Sequence, residues 1–236
     1  MAALTPLLKA RGLKRHFGGV KAVDGVGLDL GPTGVHALIG PNGAGKSTLV
    51  GLLSGRITAD AGIIEFAGRD ITRLPAHARV RLGIAYTFQV TSIYPRLSVE
   101  DNVTLAVRHP SGDVTTAARA ALARVGLDIH ARQIAGDLSY GHQRLLELAM
   151  GLALTPRLLI LDEPTQGLAA GEIAGFSALV RDVARDASVL LIEHNMDVVM
   201  DLADRITVLD FGRVLASGTP DAIRKDRAVQ AAYLGA

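Results

Sequence analysis

Apolar residues in this chain fall into short runs that alternate with stretches of helical periodicity. Runs of four or five mainly apolar residues are typical of strands buried in a parallel sheet. Such runs occupy residues 35–39, 158–161, 189–192 and 206–209. Residues 47–54 and 173–183 instead place apolar side chains on one helical face. We therefore expect an α/β fold with a largely parallel sheet.

Glycine and capping residues divide the remaining chain. Gly55 is placed to end the first helix, and residues 62–68 form a short strand that we expect to pair antiparallel with N-terminal strands. Residues 114–125 are Ala-rich and helical, and Ser139 is a suitable cap for a helix that continues to residue 152. We predict one domain over residues 1–236, in which a helical lobe at roughly 90–154 is inserted between two halves of the sheet.

Composition narrows the classes of function. The 236 residues include no cysteine, which excludes disulfides, thiolate metal sites and thiol nucleophiles. The formal charge of +2 comes without a Lys/Arg run, so we expect no nucleic-acid partner. No apolar run approaches the roughly 18–20 residues that cross a bilayer, and no signal peptide is visible. We expect a cytoplasmic protein that reaches any membrane through a partner.

The most informative segment covers residues 40–48 and reads Gly-Pro-Asn-Gly-Ala-Gly-Lys-Ser-Thr. It fits G-x-x-x-x-G-K-[ST] between a predicted strand and a predicted helix, the setting of a phosphate-binding P-loop. Glycines let backbone N–H groups turn toward phosphate oxygens, and the helix N-terminus adds a favourable dipole. Lys46 is predicted to neutralise the β- and γ-phosphates of ATP, Ser47 to ligate Mg²⁺, and Thr48 to add a phosphate contact. The predicted nucleotide-binding residues here are Gly40, Asn42, Gly43, Gly45, Lys46, Ser47 and Thr48.

Two adjacent acids, Asp162 and Glu163, end the predicted strand at residues 158–161. Ligands gather at the carboxyl ends of strands in open α/β sheets, so Asp162 is suited to ligate Mg²⁺ directly or indirectly. We expect Glu163 to point to the other side of the strand and to orient or deprotonate an attacking water. Two solvated acids in a turn would look the same in isolation. The P-loop in the same chain favours the catalytic interpretation.

Residues 138–144 read Leu-Ser-Tyr-Gly-His-Gln-Arg and resemble Leu-Ser-Gly-Gly-Gln, the signature of ABC-type transporter ATPases. Ser139 and Gly141 match that signature, whereas Tyr140 and His142 depart from it. The resemblance implies a P-loop NTPase with a RecA-like parallel sheet, an N-terminal antiparallel β patch and an inserted helical lobe. It also implies that Ser139 and Gly141 contact ATP held by a second ATPase subunit. From the residues alone, an N-capped core helix explains the segment equally well.

Single residues complete the resemblance. Gln89 stands where the family has a glutamine that contacts Mg²⁺ or the water and relays movement to the helical lobe. His194 matches a histidine that hydrogen-bonds the γ-phosphate. Phe17 matches an aromatic residue that stacks on adenine, with His16 as an alternative. Ala169 stands where the family usually has aspartate, which weakens the expected hydrogen bonds between subunits.

The whole chain resembles the ATPases of branched-chain amino-acid importers, a group that also serves amides, urea and aromatic compounds. Residues 82–89, 192–196 and 231–235, with the variant signature, are similar to that group, but the segment between Val103 and Thr115 is shorter. The resemblance implies integral-membrane permease subunits that dock on the helical lobe around residues 89–103, an extracytoplasmic solute-binding protein, and a second ABC ATPase, either a copy or a paralogue. The chain would lie on the inner face of the cell membrane, held by the permease.

Three other interpretations compete. The same segments loosely resemble a lipopolysaccharide-export ATPase. A P-loop kinase for small molecules would share Lys46 and Asp162 but would not need Ser139, Gly141 or His194. An ABC ATPase that acts on nucleic acid or ribosomes usually has two cassettes or a long coiled coil, and this sequence has one cassette and no heptads.

Overall fold

The structure is a computed structural model that describes residues 5–87, 92–107 and 113–234. Its strands are β1 (Leu8–Phe17), β2 (Val20–Leu30), β3 (Gly34–Ile39), β4 (Ala61–Phe66), β5 (Arg69–Asp70), β6 (Ile84–Tyr86), β7 (Leu158–Asp162), β8 (Ser188–Ile192), β9 (Arg205–Asp210) and β10 (Arg213–Gly218). Its α-helices are α1 (Lys46–Ser54), α2 (Ala76–Arg81), α3 (Val99–Ala106), α4 (Val114–Arg124), α5 (Tyr140–Leu152), α6 (Ala170–Val183), α7 (Met196–Leu202), α8 (Pro220–Lys225) and α9 (Arg227–Leu234). Within these ranges, no helix has both the length and the apolar content that a bilayer span requires.

Two sheets form the framework. The larger one has the strand order β10-β9-β3-β8-β7-β6, and its strands are parallel except for β10. The smaller one is antiparallel, with the order β2-β1-β4-β5. The predicted parallel sheet and N-terminal antiparallel patch are therefore confirmed. The strand predicted at 62–68 covers Ala61–Phe66 instead, because Ala67 and Gly68 turn the chain with positive φ angles.

Both faces of the central strands are buried, which explains their continuous apolar runs. In β7, Leu158 and Ile160 join the apolar cluster around α1, whereas Leu159 and Leu161 join the cluster that contains α5 and α6. The carboxyl ends of β3, β7 and β8 meet at one edge of the sheet. The fold thus brings the segments after these three strands together.

The α-helices α3, α4 and α5 lie between β6 and β7 in the chain. α3, α4 and α5 pack on one another through buried residues such as Val103, Leu122 and Leu146. The predicted helix boundaries there are close to the observed ones: α4 ends at Arg124, and the Ser139 hydroxyl accepts a hydrogen bond from the His142 backbone N–H at 3.3 Å.

The helix after the P-loop is supported at its carboxyl end by a buried arginine. Gly55 ends α1 with a φ of 78°, as predicted. The Arg79 guanidinium, 1% exposed, donates to the Leu52 and Leu53 carbonyls at 2.7 and 2.9 Å, and also to the Leu74 carbonyl at 2.9 Å. A cation at this end of a helix is favoured by the helix dipole. Burial lowers the pKa of Arg79 to about 10, and the group stays protonated at neutral pH.

Candidate functional site

A cavity of about 650 Å³ opens at the carboxyl edge of the parallel sheet. Four segments of the fold and one strand-connecting turn surround it. The lining residues are 19–22, 42–48, Glu163, His194 and Phe211. Most of the predicted loop, the second acid and the predicted histidine therefore share one cavity, although they are far apart in sequence.

The loop at residues 40–48 requires glycine at several positions. Gly40, Gly43 and Gly45 have φ angles of 153°, 79° and 102°. A Cβ atom on Gly40 would lie 2.2 Å from the Leu209 carbonyl oxygen, and one on Gly45 would lie 2.2 Å from the Ala22 carbonyl oxygen. The loop is thus held tightly between β2 and the end of β9, and only glycine fits these positions.

Lys46 begins α1 and lies over the loop. Its ammonium donates to the Gly40 and Pro41 carbonyl oxygens at 2.7 and 3.1 Å, and only 7% of the residue is exposed. Burial lowers the pKa of Lys46, while the carboxylates of Glu163 and Asp162 act in the opposite direction. The loop therefore holds a positive charge beside the cavity.

Asp162 is the last residue of β7 and does not line the cavity. Its Oδ2 accepts a hydrogen bond of 2.7 Å from the Tyr86 hydroxyl on the neighbouring strand. Burial raises the pKa of Asp162, and the Tyr86 hydrogen bond opposes that shift. The pKa of Tyr86 is itself raised by burial and by Asp162. The Arg56 guanidinium stacks over the Tyr86 ring, 4.0 Å from its centre.

Glu163 lines the same cavity as residues 42–48 of the loop. Its φ of 49° places it just beyond the strand, so strand alternation alone does not set its direction. Its Oε1 lies 2.7 Å from His194 Nε2, and its backbone N–H donates to the Ile192 carbonyl at 2.8 Å. A carboxylate held by an imidazole at the cavity wall is suited to orient a water molecule.

Other predicted site residues lie elsewhere. Phe17 is outside the cavity lining and 45% exposed, with the Arg15 guanidinium 4.7 Å from its ring centre. Ser139 and Gly141 are at the N-terminus of α5 and also do not line the cavity. Gln89 falls outside the described residues.

The N-terminus of α5 contacts the segment after Glu163. A Cβ atom on Gly141 would lie 2.2 Å from Glu172 Oε1, so a larger residue at 141 would displace the Glu172 carboxylate. The Tyr140 ring packs on Gly167, where a Cβ atom would lie 2.8 Å from the ring. Tyr140 thus fills the space above a glycine of the following loop.

Sequence reasoning missed several residues of the cavity. Val20 and Phe211 are 66% and 85% exposed, and they line its opening together with Lys21 and Ala22. The turn at Phe211 had a readable signal, a Phe-Gly pair between two apolar strands. Tyr86, which lies outside the cavity lining and bonds to Asp162, had no such signal, because its partner is 76 residues away in the sequence.

Comparison with known proteins agrees with this geometry. Residues 23–166 match the family model described as "ABC transporter", and residues 213–236 match "Branched-chain amino acid ATP-binding cassette transporter". The high-affinity branched-chain amino acid transport ATP-binding proteins LivG of Escherichia coli K12 and BraF of Pseudomonas aeruginosa PAO1 are 36% and 37% identical to this chain, over 98% of each chain. The family match decides against a small-molecule kinase.

Solved structures give the same result. The ADP conformation of MJ1267, an ATP-binding cassette of an ABC transporter, has a TM-score of 0.89 and 28% identity, over 98% of this chain and all of that one. A nucleotide-free ATP-binding cassette from an ABC transporter also has a TM-score of 0.89, with 27% identity over 98% of this chain. The P-loop cavity, the order of the two sheets and these matches lead to one conclusion: the chain belongs to the ABC transporter family as an ATP-binding cassette.

Proposed function

We propose that this chain is the ATP-hydrolysing motor subunit of an importer for branched-chain amino acids or related amides or urea. The observation that carries the catalytic part is the 2.7 Å contact between Glu163 and His194, in a cavity that Lys46 and its loop also line. A loop that holds phosphates and a carboxylate that faces them are the two parts that ATP hydrolysis requires.

The nucleotide phosphates lie along residues 42–48. Backbone N–H groups of Asn42, Gly43 and Gly45 surround the phosphate oxygens, and the N-terminus of α1 points at them. Lys46 neutralises the β- and γ-phosphates, and Thr48 adds a hydroxyl contact. Gly40 shapes the loop from outside the cavity. Phe17 supplies an exposed ring for adenine near the β1–β2 turn.

The donor groups present fit Mg²⁺. Ser47 offers a hydroxyl from the cavity lining. Asp162, which lies outside that lining and directly before Glu163, would act on the ion directly or through a bound water; such oxygen ligands are those that Mg²⁺ prefers. Within the described ranges no group of three or more His, Cys, Asp or Glu side chains is arranged to hold a metal ion. Ser47 and Asp162 would hold such an ion together with the phosphates of the substrate, as is usual for Mg²⁺. Gln89 completes the proposed set, and bound Mg²⁺ supplies charge neutralisation at the phosphates.

Hydrolysis depends on the second wall of the cavity. Glu163 orients the attacking water and accepts its proton, and His194 holds the Glu163 carboxylate while its ring faces the γ-phosphate. The water must be enclosed for this wall to act efficiently, because enclosure strengthens the electrostatic interactions in the site. An open cavity on one chain binds ATP but does not enclose it.

Enclosure comes from a second ATPase subunit. The N-terminus of α5, with Ser139 and Gly141, lies outside the cavity of its own chain, and so it is available to cap the γ-phosphate of a partner's ATP. A Lys46→Ala chain retains this cap, and a Ser139→Arg chain retains its own loop. Mixing the two inactive variants therefore regenerates one complete site per mixed dimer.

The mixing experiment measures phosphate release by each variant alone and by the mixture. Recovered activity in the mixture supports a site shared by two copies of this chain. A mixture of two different Lys46 variants is the matched control and stays inactive. No recovery in the first mixture would refute the shared site between identical copies.

The proposed transport role rests on the similarity of this chain to its relatives. We place the chain at the inner face of the cell membrane, as a single ATPase domain whose helical lobe, roughly residues 90–154, contacts integral-membrane permease subunits. An extracytoplasmic solute-binding protein delivers the solute. The support is the 36% identity to LivG over 98% of both chains and the matching C-terminal segment at residues 213–236.

Uptake measurements in the source cell test that role. Deleting the gene is expected to reduce uptake of labelled leucine, and the wild-type gene is expected to restore it, whereas Lys46→Ala is not. Uptake of labelled urea in the same strains separates the two solute classes. Unchanged uptake of leucine, amides and urea in the deletion strain would contradict the proposal.

A further inference from the structure

Glu193 is a buried carboxylate between the loop that carries Glu163 and the loop that carries His194. It follows β8 directly, and only 4% of its surface is exposed. Its Oε1 accepts hydrogen bonds from the Thr165 backbone N–H at 2.9 Å and the Thr165 hydroxyl at 2.6 Å. Its Oε2 accepts from the backbone N–H groups of His194 and Asn195, at 3.0 and 3.3 Å. One side chain therefore joins two loops.

Only a carboxylate satisfies all four of these contacts. Burying a charge is costly unless hydrogen bonds replace the lost water, and hydrogen bonds to an ionised acceptor are stronger than neutral ones. A glutamine amide has one acceptor oxygen and one donor NH₂ group. In either orientation of the amide, the NH₂ group would face the backbone N–H of Thr165 or the two N–H groups of the other loop.

The joined loops carry the pair that faces the cavity. Thr165 lies two residues after Glu163, and His194 directly follows Glu193. The Glu163 backbone N–H donates to the Ile192 carbonyl at 2.8 Å, which fixes the loops at a second point. The 2.7 Å contact between Glu163 Oε1 and His194 Nε2 therefore depends on the spacing that Glu193 maintains.

We infer that Glu193 is a positioning residue for hydrolysis, one that holds Glu163 and His194 in register without touching the nucleotide. The inference rests on the proposed ATPase function. It predicts that weakening the Glu193–Thr165 connection lowers kcat, because the water-orienting pair loses its spacing. The KM for ATP is expected to change little, since the loop at residues 42–48, which supplies most of the proposed phosphate contacts, makes none of these contacts.

Three variants test it. Glu193→Gln removes the charge with little change of shape, and Thr165→Val removes a single hydroxyl donor, which leaves a milder change if the first variant folds poorly. Thr207→Val is the matched control. Thr207 lies in β9, is 2% exposed and is not part of the cavity lining, and its hydroxyl forms a 2.8 Å hydrogen bond with the His36 ring. The control carries a comparable loss of a buried hydroxyl.

Steady-state ATP hydrolysis is the first readout. Groups that orient the ligands of a catalytic metal typically change activity by about 10- to 100-fold when they are removed, and we take the same scale for a group that orients Glu163 and His194. We expect Glu193→Gln to lower kcat by that factor with a KM within about twofold of wild type, and Thr165→Val to show a smaller loss in the same direction. Thr207→Val is expected to hydrolyse like wild type. Wild-type kcat in folded Glu193→Gln and Thr165→Val would overturn the inference.

The second readout needs no turnover. In protein labelled with ¹⁵N-histidine, the His194 ring signals are identified by their absence from His194→Gln. They are expected to move in Glu193→Gln and Thr165→Val and to stay in place in Thr207→Val. Unmoved His194 signals in the first two variants would overturn the positioning role. A wild-type chain that hydrolyses no ATP would instead refute the proposed function, and the ring signals would still decide the role of Glu193.

Discussion

Replacing the buried histidine His36 is predicted to remove about 2 kcal/mol of the stability that the protein loses when the pH falls from 7 to 4.5. His36 lies in β3, is 7% exposed, and its Nε2 is 2.8 Å from the Thr207 hydroxyl. Burial lowers the pKa of His36 from 6.5 to about 4, with a smaller contribution from the nearby charge of Arg205. The folded protein therefore takes up this proton much less readily than the unfolded chain does.

The sign and size of the effect follow from that difference. The unfolded chain binds the proton at pH values below about 6.5, and the folded protein binds it only near pH 4. The free energy of unfolding thus falls as the pH drops from 6.5 to 4, and this group adds no further loss below that. Each pKa unit corresponds to about 1.4 kcal/mol, so the loss between pH 7 and pH 4.5 is about 2 kcal/mol.

Urea denaturation of wild type and His36→Gln between pH 7 and pH 4.5 measures this loss in the free energy of unfolding. Glutamine does not titrate, and its amide retains a hydrogen bond to Thr207. Carboxylates elsewhere change the stability of both proteins in the same way, so the difference between the two curves isolates His36. We expect the wild type to lose about 2 kcal/mol more than the variant over this range. Parallel curves would refute the buried neutral imidazole.

Three further predictions concern the site and its support. Lys46→Ala is expected to weaken ATP binding at least about tenfold, measured by titration with a fluorescent ATP analogue, because a charged phosphate contact is lost. Arg79→Met is expected to lower the free energy of unfolding, measured by urea denaturation, by about 1.5–3 kcal/mol, because the Leu52 and Leu53 carbonyl oxygens at the end of α1 lose their hydrogen bonds to a buried cation. Tyr86→Phe is expected to raise the Mg²⁺ concentration needed for half-maximal ATP binding, because Asp162 loses the hydrogen bond that orients it; the exposed Tyr94→Phe serves as its control.

The sequence predicted the fold well where a strand is buried on both faces and where the signal lies within neighbouring residues. The strands at β3, β7, β8 and β9 stand out because both of their faces are covered, which favours runs of four or five mainly apolar residues, interrupted only by His36 in β3 and Thr207 in β9. The phosphate-binding loop stands out because its glycines and Lys46 occupy a fixed spacing. Both signals lie within a few neighbouring residues, so no knowledge of the three-dimensional structure is needed.

Contacts between residues far apart in the sequence could not be predicted. Arg79 looks like one more surface charge, yet it is buried because its guanidinium meets the carbonyls that end α1, 26 and 27 residues earlier. Glu193 and Thr165 are separated by 28 residues, and nothing in either local sequence indicates the other. The direction of Glu163 also escapes strand alternation, because its positive φ turns the chain there.

The most direct test of the account measures ATP binding and single-turnover hydrolysis by Glu163→Gln beside wild type. Glu163 acts on the attacking water and not on the phosphates, so the dissociation constant for ATP is expected to change little. The hydrolysis rate is expected to fall by about 100-fold or more, as for loss of a general base. A variant that hydrolyses bound ATP at the wild-type rate would contradict the account.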